Sequence, residues 1–510
     1  MLDGLLSGLA TASTPFNLLM VSLGCFAGTF IGMLPGLGPV SAVALMIPVT
    51  YGLEPSSGLI LMAGVYYGAV FGGSTSSILL NAPGCASTVV TTFDGFPLAR
   101  RGQAGKALAL AAYASFSGGT IAALVMMVAA PALARVSLGF KSADYFALML
   151  LGLTSITALS GRGKVLPALM MAVLGVMLST VGTESTSGLP RYTFGRMDLV
   201  DGFSFLLLAM STFALAEVLI SVRDGMHRQE DAPIVEAQLG SMRISASEAG
   251  QVAPVIARSS LLGFLIGILP GAGATIASFL AYGAERKLAK AGDADDFGKG
   301  SLRGVAAPEA ANNAASTGSF VPLLTLGIPG SGTTAIMLGA LIAYGIQPGP
   351  RLLVDNPDIF WSVIISMYIG NVVLLIMNLP LIPYLSRLLA VPRTFLVPII
   401  VMFCMTGVYL VSFNSVDILI MSVIAAVAIA LKLLGFPMAP MLLGFILGGY
   451  LEDNLQRALI IYDGSWRFLW ERPTTLTLVV LTILVLAWPM ISRLAFRNLG
   501  LRRDLPTTTE

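Results

Sequence analysis

Apolar windows long enough to cross a bilayer recur along almost the whole chain, separated by short polar stretches and interrupted by Pro-Gly. Apolar sequence runs from about residue 16 to 50, then from the polar loop Glu54-Pro-Ser-Ser57 into Gly72-Gly-Ser-Thr-Ser-Ser77, and continues near 107–130, 144–159, 165–181 and 203–220. After a polar segment at 221–253 it resumes to about 283, runs from Ala306 to Tyr344, and returns near 359–378, 380–413, 415–450 and 474–492. A helix needs about 20 apolar residues to span hydrocarbon, so these windows allow about eleven to thirteen crossings. The predicted fold is an all-α integral membrane protein.

The Pro-Gly interruptions come in matched pairs. Gly28, Gly32, Leu34, Pro35, Gly36 and Gly38 recur 235 residues later as Gly263, Gly267, Leu269, Pro270, Gly271 and Gly273. Gly72, Pro83, Gly84, Ser87 and Thr88 recur 246 residues later as Gly318, Pro329, Gly330, Thr333 and Thr334. The chain therefore divides into a first repeat at 1–220, a linker at 221–253, a second repeat at 254–492 and a basic tail at 493–510.

Charge orients the repeats, because Lys and Arg in short loops stay cytoplasmic. The 51–57 loop has neither, while its counterpart 285–303 has Arg286, Lys287, Lys290, Lys299 and Arg303. The 94–106 loop carries Arg100, Arg101 and Lys106, while 345–358 has only Arg351. The bias flips at both pairs of loops, as two copies inserted in opposite senses require. This inverted-repeat plan puts 94–106, 221–253, 285–303 and the tail in the cytoplasm, and 51–57 and 345–358 outside.

Composition agrees: 56% of residues are hydrophobic and 11% charged, against about 25% charged in a soluble domain. Fifty-five glycines and 28 prolines favour close helix contacts and interrupted helices. The net charge of +2 calls for no nucleic-acid partner. Cys25, Cys85 and Cys404 lie in apolar sequence and are expected to be small buried side chains; with the single His227, in the linker, they make no metal site. The first fifteen residues lack the basic start of a cleavable signal. With no His-Glu-x-x-His, no membrane Ser-His pair and no Walker lysine, the chain is not expected to be an enzyme.

Pro removes a backbone donor and Gly permits non-helical conformations, so each Pro-Gly should break its helix. In hydrocarbon such a break survives only where it is buried or faces a wet cavity. The restarting half-helix directs its positive end at an anion, and freed carbonyls suit a hard cation. Candidate binding positions are Gly36, Gly38, Ser76, Ser77, Asn81, Gly84, Ser87 and Thr88 in the first half. Gly271, Gly273, Gly330, Ser331, Thr333 and Thr334 join them in the second, with Ser74, Thr75, Ser316, Thr317 and Ser319 nearby. A sodium ion is expected near Asn81, Gly330 and Thr333. The competing explanation is tight helix packing through small residues, the preferred reading for Gly28 with Gly32 and Gly263 with Gly267.

Pro308-Glu-Ala-Ala-Asn-Asn313 sets a carboxylate and two amides in small apolar sequence. Glu309 is either a cavity-facing proton relay, ion ligand or gate, or a partner for a loop cation such as Arg303. Asn312 and Asn313 fall on Tyr66 and Tyr67 in the 246-residue register, which suggests cavity lining for both pairs. Glu217 and Asp417, at the edges of apolar segments, are expected to be paired or snorkelling.

Gly32-Met-Leu-Pro-Gly-Leu-Gly-Pro39, Tyr67-Gly-Ala-Val-Phe-Gly-Gly-Ser-Thr-Ser-Ser-Ile-Leu-Leu-Asn-Ala-Pro-Gly84, Asp94-Gly-Phe-Pro97, Pro308-Glu-Ala-Ala-Asn-Asn-Ala314 and Gly327-Ile-Pro-Gly-Ser-Gly-Thr-Thr334 resemble the large permease subunit of tripartite tricarboxylate transporters, the TctA-type family. The resemblance covers nearly the whole chain. It implies a multi-pass permease of the bacterial inner membrane that works with a periplasmic solute-binding protein (TctC-type) and a small four-span membrane subunit (TctB-type). Such a permease imports a small carboxylate, with no cofactor beyond a coupling Na+ or H+. By similarity the substrate and ion region falls on the Pro-Gly loops and on Pro308–Asn313. The alternative from another class is a passive channel or membrane scaffold whose breaks are packing devices.

Overall fold

The computed structural model describes residues 2–34, 36–159, 164–184, 187–227, 240–271, 273–289, 296–381, 384 and 393–498. Its first half comprises α1 (Leu2–Ala12), α2 (Pro15–Met33), α3 (Gly38–Thr50), α4 (Pro55–Leu80), α5 (Val89–Leu98), α6 (Ala104–Ser137), α7 (Ser142–Leu159) and α8 (Val165–Ser179). A two-residue ladder pairs Gly182–Thr183 with Pro190–Arg191, and α9 (Phe205–Ala209) leads through a π turn to α10 (Ala216–His227). His227, expected in the linker, lies in the last described turn of α10.

The second half comprises α11 (Ala246–Ile268), α12 (Gly273–Leu288), α13 (Leu302–Gly318), α14 (Phe320–Leu326), α15 (Gly332–Ala343), α16 (Leu352–Asp355) and α17 (Pro357–Asn378). After it come α18 (Arg393–Ser412), α19 (Ser415–Leu433), α20 (Ala439–Ile461), α21 (Phe468–Glu471) and α22 (Pro473–Asn498). Six helical stretches among the described residues are long and apolar enough to cross a bilayer, and shorter apolar helices accompany them. The apolar window at 415–450 is two helices, α19 and α20, because Gly435 turns to φ +86° and Pro437 follows. Pro35, parts of the linker and of the 285–303 loop, much of the stretch before α18 and the tail from 499 lie outside the described residues.

Helix starts follow ordinary capping chemistry. Thr14 caps α2 ahead of Pro15, and Ser245 with Glu248 forms a reciprocal capping box on α11. Exposed Leu166, Met170, Val173 and Met177 make a helical stripe along α8, and Leu419, Val423 and Val427 make one along α19. Apolar surface of that extent is what lipid covers.

Glycine sets how the repeats pack. Cβ atoms on Gly24, Gly28 and Gly32 of α2 would overlap the carbonyl oxygens of Leu61, Val65 and Ala69 of α4, so the two backbones touch in parallel. On α11, Gly263 and Gly267 meet Ala311 and Ala315 of α13 in the same way. Gly28 with Val65 and Gly263 with Ala311 are equivalent pairs under the 235- and 246-residue offsets. The packing reading of these glycines therefore holds.

At the first break the chain turns back. Ser57 Oγ donates to Asn17 Oδ1 at 2.6 Å, which puts the start of α4 beside the start of α2. Because α3 ends only a short loop before α4, α2 and α3 form a re-entrant hairpin. In the second half α12 runs back along α11, so that Glu285 reaches Arg258 and Arg303, each at 2.9 Å.

Between the halves, Ser74 of α4 bonds Glu309 of α13, while seven residues earlier on α4 Tyr67 stacks on Phe320, farther along the chain from Glu309. The equivalent helices α4 and α13 thus run antiparallel, and one half is inverted relative to the other. Arg100, Arg101, Lys106, Glu248, Glu285 and Arg303 gather at one end of the bundle, called here the basic face. Asp94 fastens that end: its Oδ1 accepts the N–H of Gly298, Gly300 and Ser301 at 2.9, 2.8 and 2.7 Å, and its Oδ2 accepts the Tyr282 hydroxyl at 3.0 Å.

Candidate functional site

Each half contains two breaks, and their backbones match. Gly36 and Gly38 have φ of +91° and +63°; Gly271 and Gly273 have +81° and +59°. Only glycine enters this region without strain. The second pair of breaks begins at a left-handed C-cap, Asn81 (φ 53°) in one half and Gly327 (φ 71°) in the other. Asn and Gly are the residues that tolerate this cap, which gives the asymmetry between them a backbone explanation.

Each restarting helix then carries a reciprocal cap. Ser331 Oγ accepts the Thr334 N–H at 3.2 Å, and Thr334 Oγ1 accepts the Ser331 N–H at 2.8 Å. Cys85 with Thr88 repeats the arrangement. Gly84 and Gly330 are pressed onto equivalent neighbours: added Cβ atoms would lie 2.6 Å from Gly73 Cα and 2.8 Å from Ser319 Cα. Gly271 N–H donates to Gly330 O at 3.1 Å and joins the two breaks of the second half.

All four breaks line one cavity of about 820 Å³. Among the predicted positions it takes in Gly36, Gly38, Gly84, Ser87, Gly271, Gly273, Ser331 and Thr333. Its mouth carries Lys164 and Glu217; Glu217 pairs with Lys432, whose Nζ lies 5.4 Å from the centre of the Phe213 ring. The chain runs from the basic face along α6 and back along α7, so Lys164, exposed and in the lining, lies on the basic-face side of the cavity.

The other predicted positions lie elsewhere. Ser76 and Ser77 return their hydroxyls to Gly73 O at 3.1 and 2.7 Å, and Asn81 is an exposed cap. Thr88 and Thr334 are engaged in caps, and Gly330 is packed on Ser319. Of the three positions named for sodium, Thr333 faces the cavity, whereas Asn81 and Gly330 are outside its lining.

Sequence reasoning passed over Val40, Ser41, Thr275 and Ile276, all in the lining. They form register pairs, Val40 with Thr275 and Ser41 with Ile276, just past the glycines of the first breaks. The 246-residue offset likewise places Cys85 on Ser331, and carrying the alignment beyond the shared residues would have found it. Phe213 and Glu217 have no such signal.

Glu309 is fully buried, and its carboxylate accepts from Ser74 Oγ at 2.7 Å, Ser115 Oγ at 2.9 Å and the Thr91 hydroxyl. Arg303, the cation six residues upstream, pairs with Glu285, so the loop ion pair is not the fate of Glu309. A void of about 10 Å³, lined by Ser74, Thr75, Ser115 and Asn378, adjoins the cluster and is about the space of one water. Asn313 Nδ2 donates to Asn312 Oδ1 at 2.7 Å and to Glu309 O at 3.1 Å. Asn312 Nδ2, beside Glu309, together with Asn313 Oδ1 and the Tyr67 hydroxyl, is buried without a well-formed hydrogen bond. Tyr66 and Tyr67 stack with Phe320, and Tyr66 alone of the pair reaches the cavity, 3.4 Å from Ser331 Oγ.

The chain matches the family described as "Tripartite tricarboxylate transporter TctA family" over residues 18–443. It is 42% identical over 465 residues, 91% of each chain, to an uncharacterized 52.8 kDa protein of Agrobacterium vitis from the TAR-I ttuC' 3' region. A second protein of that organism, from the TAR-II ttuC' 3' region, is 45% identical over 203 residues, 40% of this chain and 83% of the relative. No solved structure matches. The two inverted halves, their paired breaks and a family match over most of the length lead to one conclusion: this chain belongs to the TctA family of tripartite tricarboxylate transporters and is a multi-pass membrane permease subunit.

Proposed function

We propose that this permease imports small organic di- and tricarboxylates across a bacterial inner membrane, receiving them from a periplasmic solute-binding protein and working beside a small four-span subunit. The observation that carries the reading is the convergence of all four breaks on one cavity. Helix starts at Gly38, Gly273 and Gly332 bring unpartnered N–H groups and positive helix ends to it, which suits carboxylate oxygens. Ser87, Ser331 and Thr333 add neutral hydroxyls. Uptake is coupled to Na+ or H+ at Glu309, where a carboxylate and three hydroxyls supply the oxygen-rich environment that either ion requires.

The test is uptake into proteoliposomes containing the permease, its four-span partner and a solute-loaded binding protein. Accumulation should require the binding protein and an imposed cation gradient; accumulation unaffected by collapse of both sodium and proton gradients would sink the coupling. Thr333→Val separates a binding cavity from a passive channel or scaffold. It removes a cavity hydroxyl and leaves the Ser331–Thr334 cap in place, so uptake should fall with expression intact.

A further inference from the structure

A second cavity, of about 510 Å³, lies at the end of the bundle opposite the basic face. Its lining carries Lys141, Arg351 and Arg457 against Asp453, and Arg351, itself exposed, also pairs with Asp355 beside the cavity at 3.2 Å. Lys141 follows α6 and immediately precedes α7, whose far end leads to Lys164 at the mouth of the central cavity, so the two cavities lie at opposite ends of the same helix.

Little protein separates them. Leu326 and Gly327 line the second cavity and Ser331 lines the first, and four residues of chain reach about 14 Å at most. On α20, Leu443 lines the first and Tyr450 the second, seven residues or about 10 Å along a helix. Ile328 and Leu447, both fully buried, fill the gap. They close over Gly152 of α7, where a Cβ would come within 2.8 Å of Ile328 Cγ2 and 3.7 Å of Leu447 Cδ1.

We propose that the second cavity is the entrance vestibule for the transported anion, with Lys141, Arg351 and Arg457 gathering carboxylate charge, and that the Ile328–Leu447 septum is the closed gate to the central cavity. A polar well with more cations than carboxylates around it keeps a net positive potential, which raises the local concentration of anions and repels cations. Two apolar side chains around a glycine make a seal that small rotamer changes can open. The assignment to an inward path rests on the importer reading; the charge selectivity of the well does not.

The test uses membrane-impermeant thiol reagents on Gln347→Cys, whose side chain position lines the vestibule. The reagents are an anionic sulfonate-bearing and a cationic trimethylammonium methanethiosulfonate, their rates normalised to a free thiol. Labelling from the face opposite the basic loops should favour the anionic reagent by about five-fold, and Lys141→Gln/Arg351→Gln/Arg457→Gln should bring the ratio near one. Equal rates in the presence of all three cations would overturn the vestibule.

The gate is read at Cys85, a native thiol in the central cavity. It should resist reagent from that same face in the unsubstituted protein and become labelled in Ile328→Ala/Leu447→Ala, with Leu447→Ala alone used if the double variant does not fold. Continued protection of Cys85 in a folded variant would overturn the gate. Absence of uptake under every gradient would remove the importer reading and leave the selectivity of the vestibule standing.

Discussion

Asp94 and Glu309 are both fully buried carboxylates near the contact between the two halves, and each is missing from the other half, where the 246-residue offset puts Ala340 and Ala63. Their partners differ in kind. Asp94 is held by three backbone N–H groups and a phenol. A backbone N–H only donates, so that seat fits an anion and nothing else. Glu309 is held by three hydroxyls, which can rotate and offer lone pairs to a cation in place of protons to a carboxylate. Burial of charge is thus no measure of function; what the partners can do after a change of ion is.

The comparison predicts its sharpest contrast in stability. Asp94→Ala strips the acceptor from three N–H groups and should cost about 3 kcal/mol or more, seen as a lowered unfolding temperature in detergent and poor membrane yield. Asp94→Asn keeps one acceptor oxygen and should recover part of the loss.

Glu309→Gln should do the reverse. Uptake should drop at least about ten-fold, roughly 1.4 kcal/mol, while thermal stability stays close to that of the unsubstituted protein. Normal transport by the Glu309→Gln variant would erase the distinction between the two carboxylates.

Smaller effects test whether the paired breaks are interchangeable in backbone terms. Asn81→Val should cost about 1 kcal/mol, because a β-branched residue is strained at a left-handed cap, whereas Asn81→Gly copies Gly327 and should be nearly neutral. Loss of uptake in Asn81→Gly with stability intact would assign the amide a role beyond capping. Least of all, Cys85→Ser reproduces Ser331 and should shift stability by less than about 0.5 kcal/mol in a thermal melt.

The recurrence of Pro-Gly at two offsets was enough to locate the breaks and the duplication, because breaking a helix in lipid needs specific residues whose signature survives in one dimension, and the reversal of loop charge supplied the opposed insertion. The depth of Glu309 was not legible. Arg303 is near it in sequence, and only the path of α12, which brings Glu285 to Arg303, shows that the cation is already engaged. Nor could composition separate hydroxyls that line the cavity from those that return to their own helix. Ser76 and Ser87 read alike, yet one bonds Gly73 O within α4 and the other follows a break onto the cavity wall beside Cys85. Glu217 and Phe213 reach the cavity through tertiary packing of a helix with no counterpart signal.

The glycine seams have a mechanical consequence. Where α2 meets α4 and α11 meets α13, and again where Gly175 and Gly444 bring α8 and α20 together, main chain rests on main chain with no side chains to act as bearings. Helices joined so closely cannot part without leaving holes, so each seam behaves as a weld. The welded α8–α20 unit faces the broken helices across the two cavities and the thin partition between them. A transport cycle built on this frame would shear along that boundary, with the welded units carried as rigid pieces.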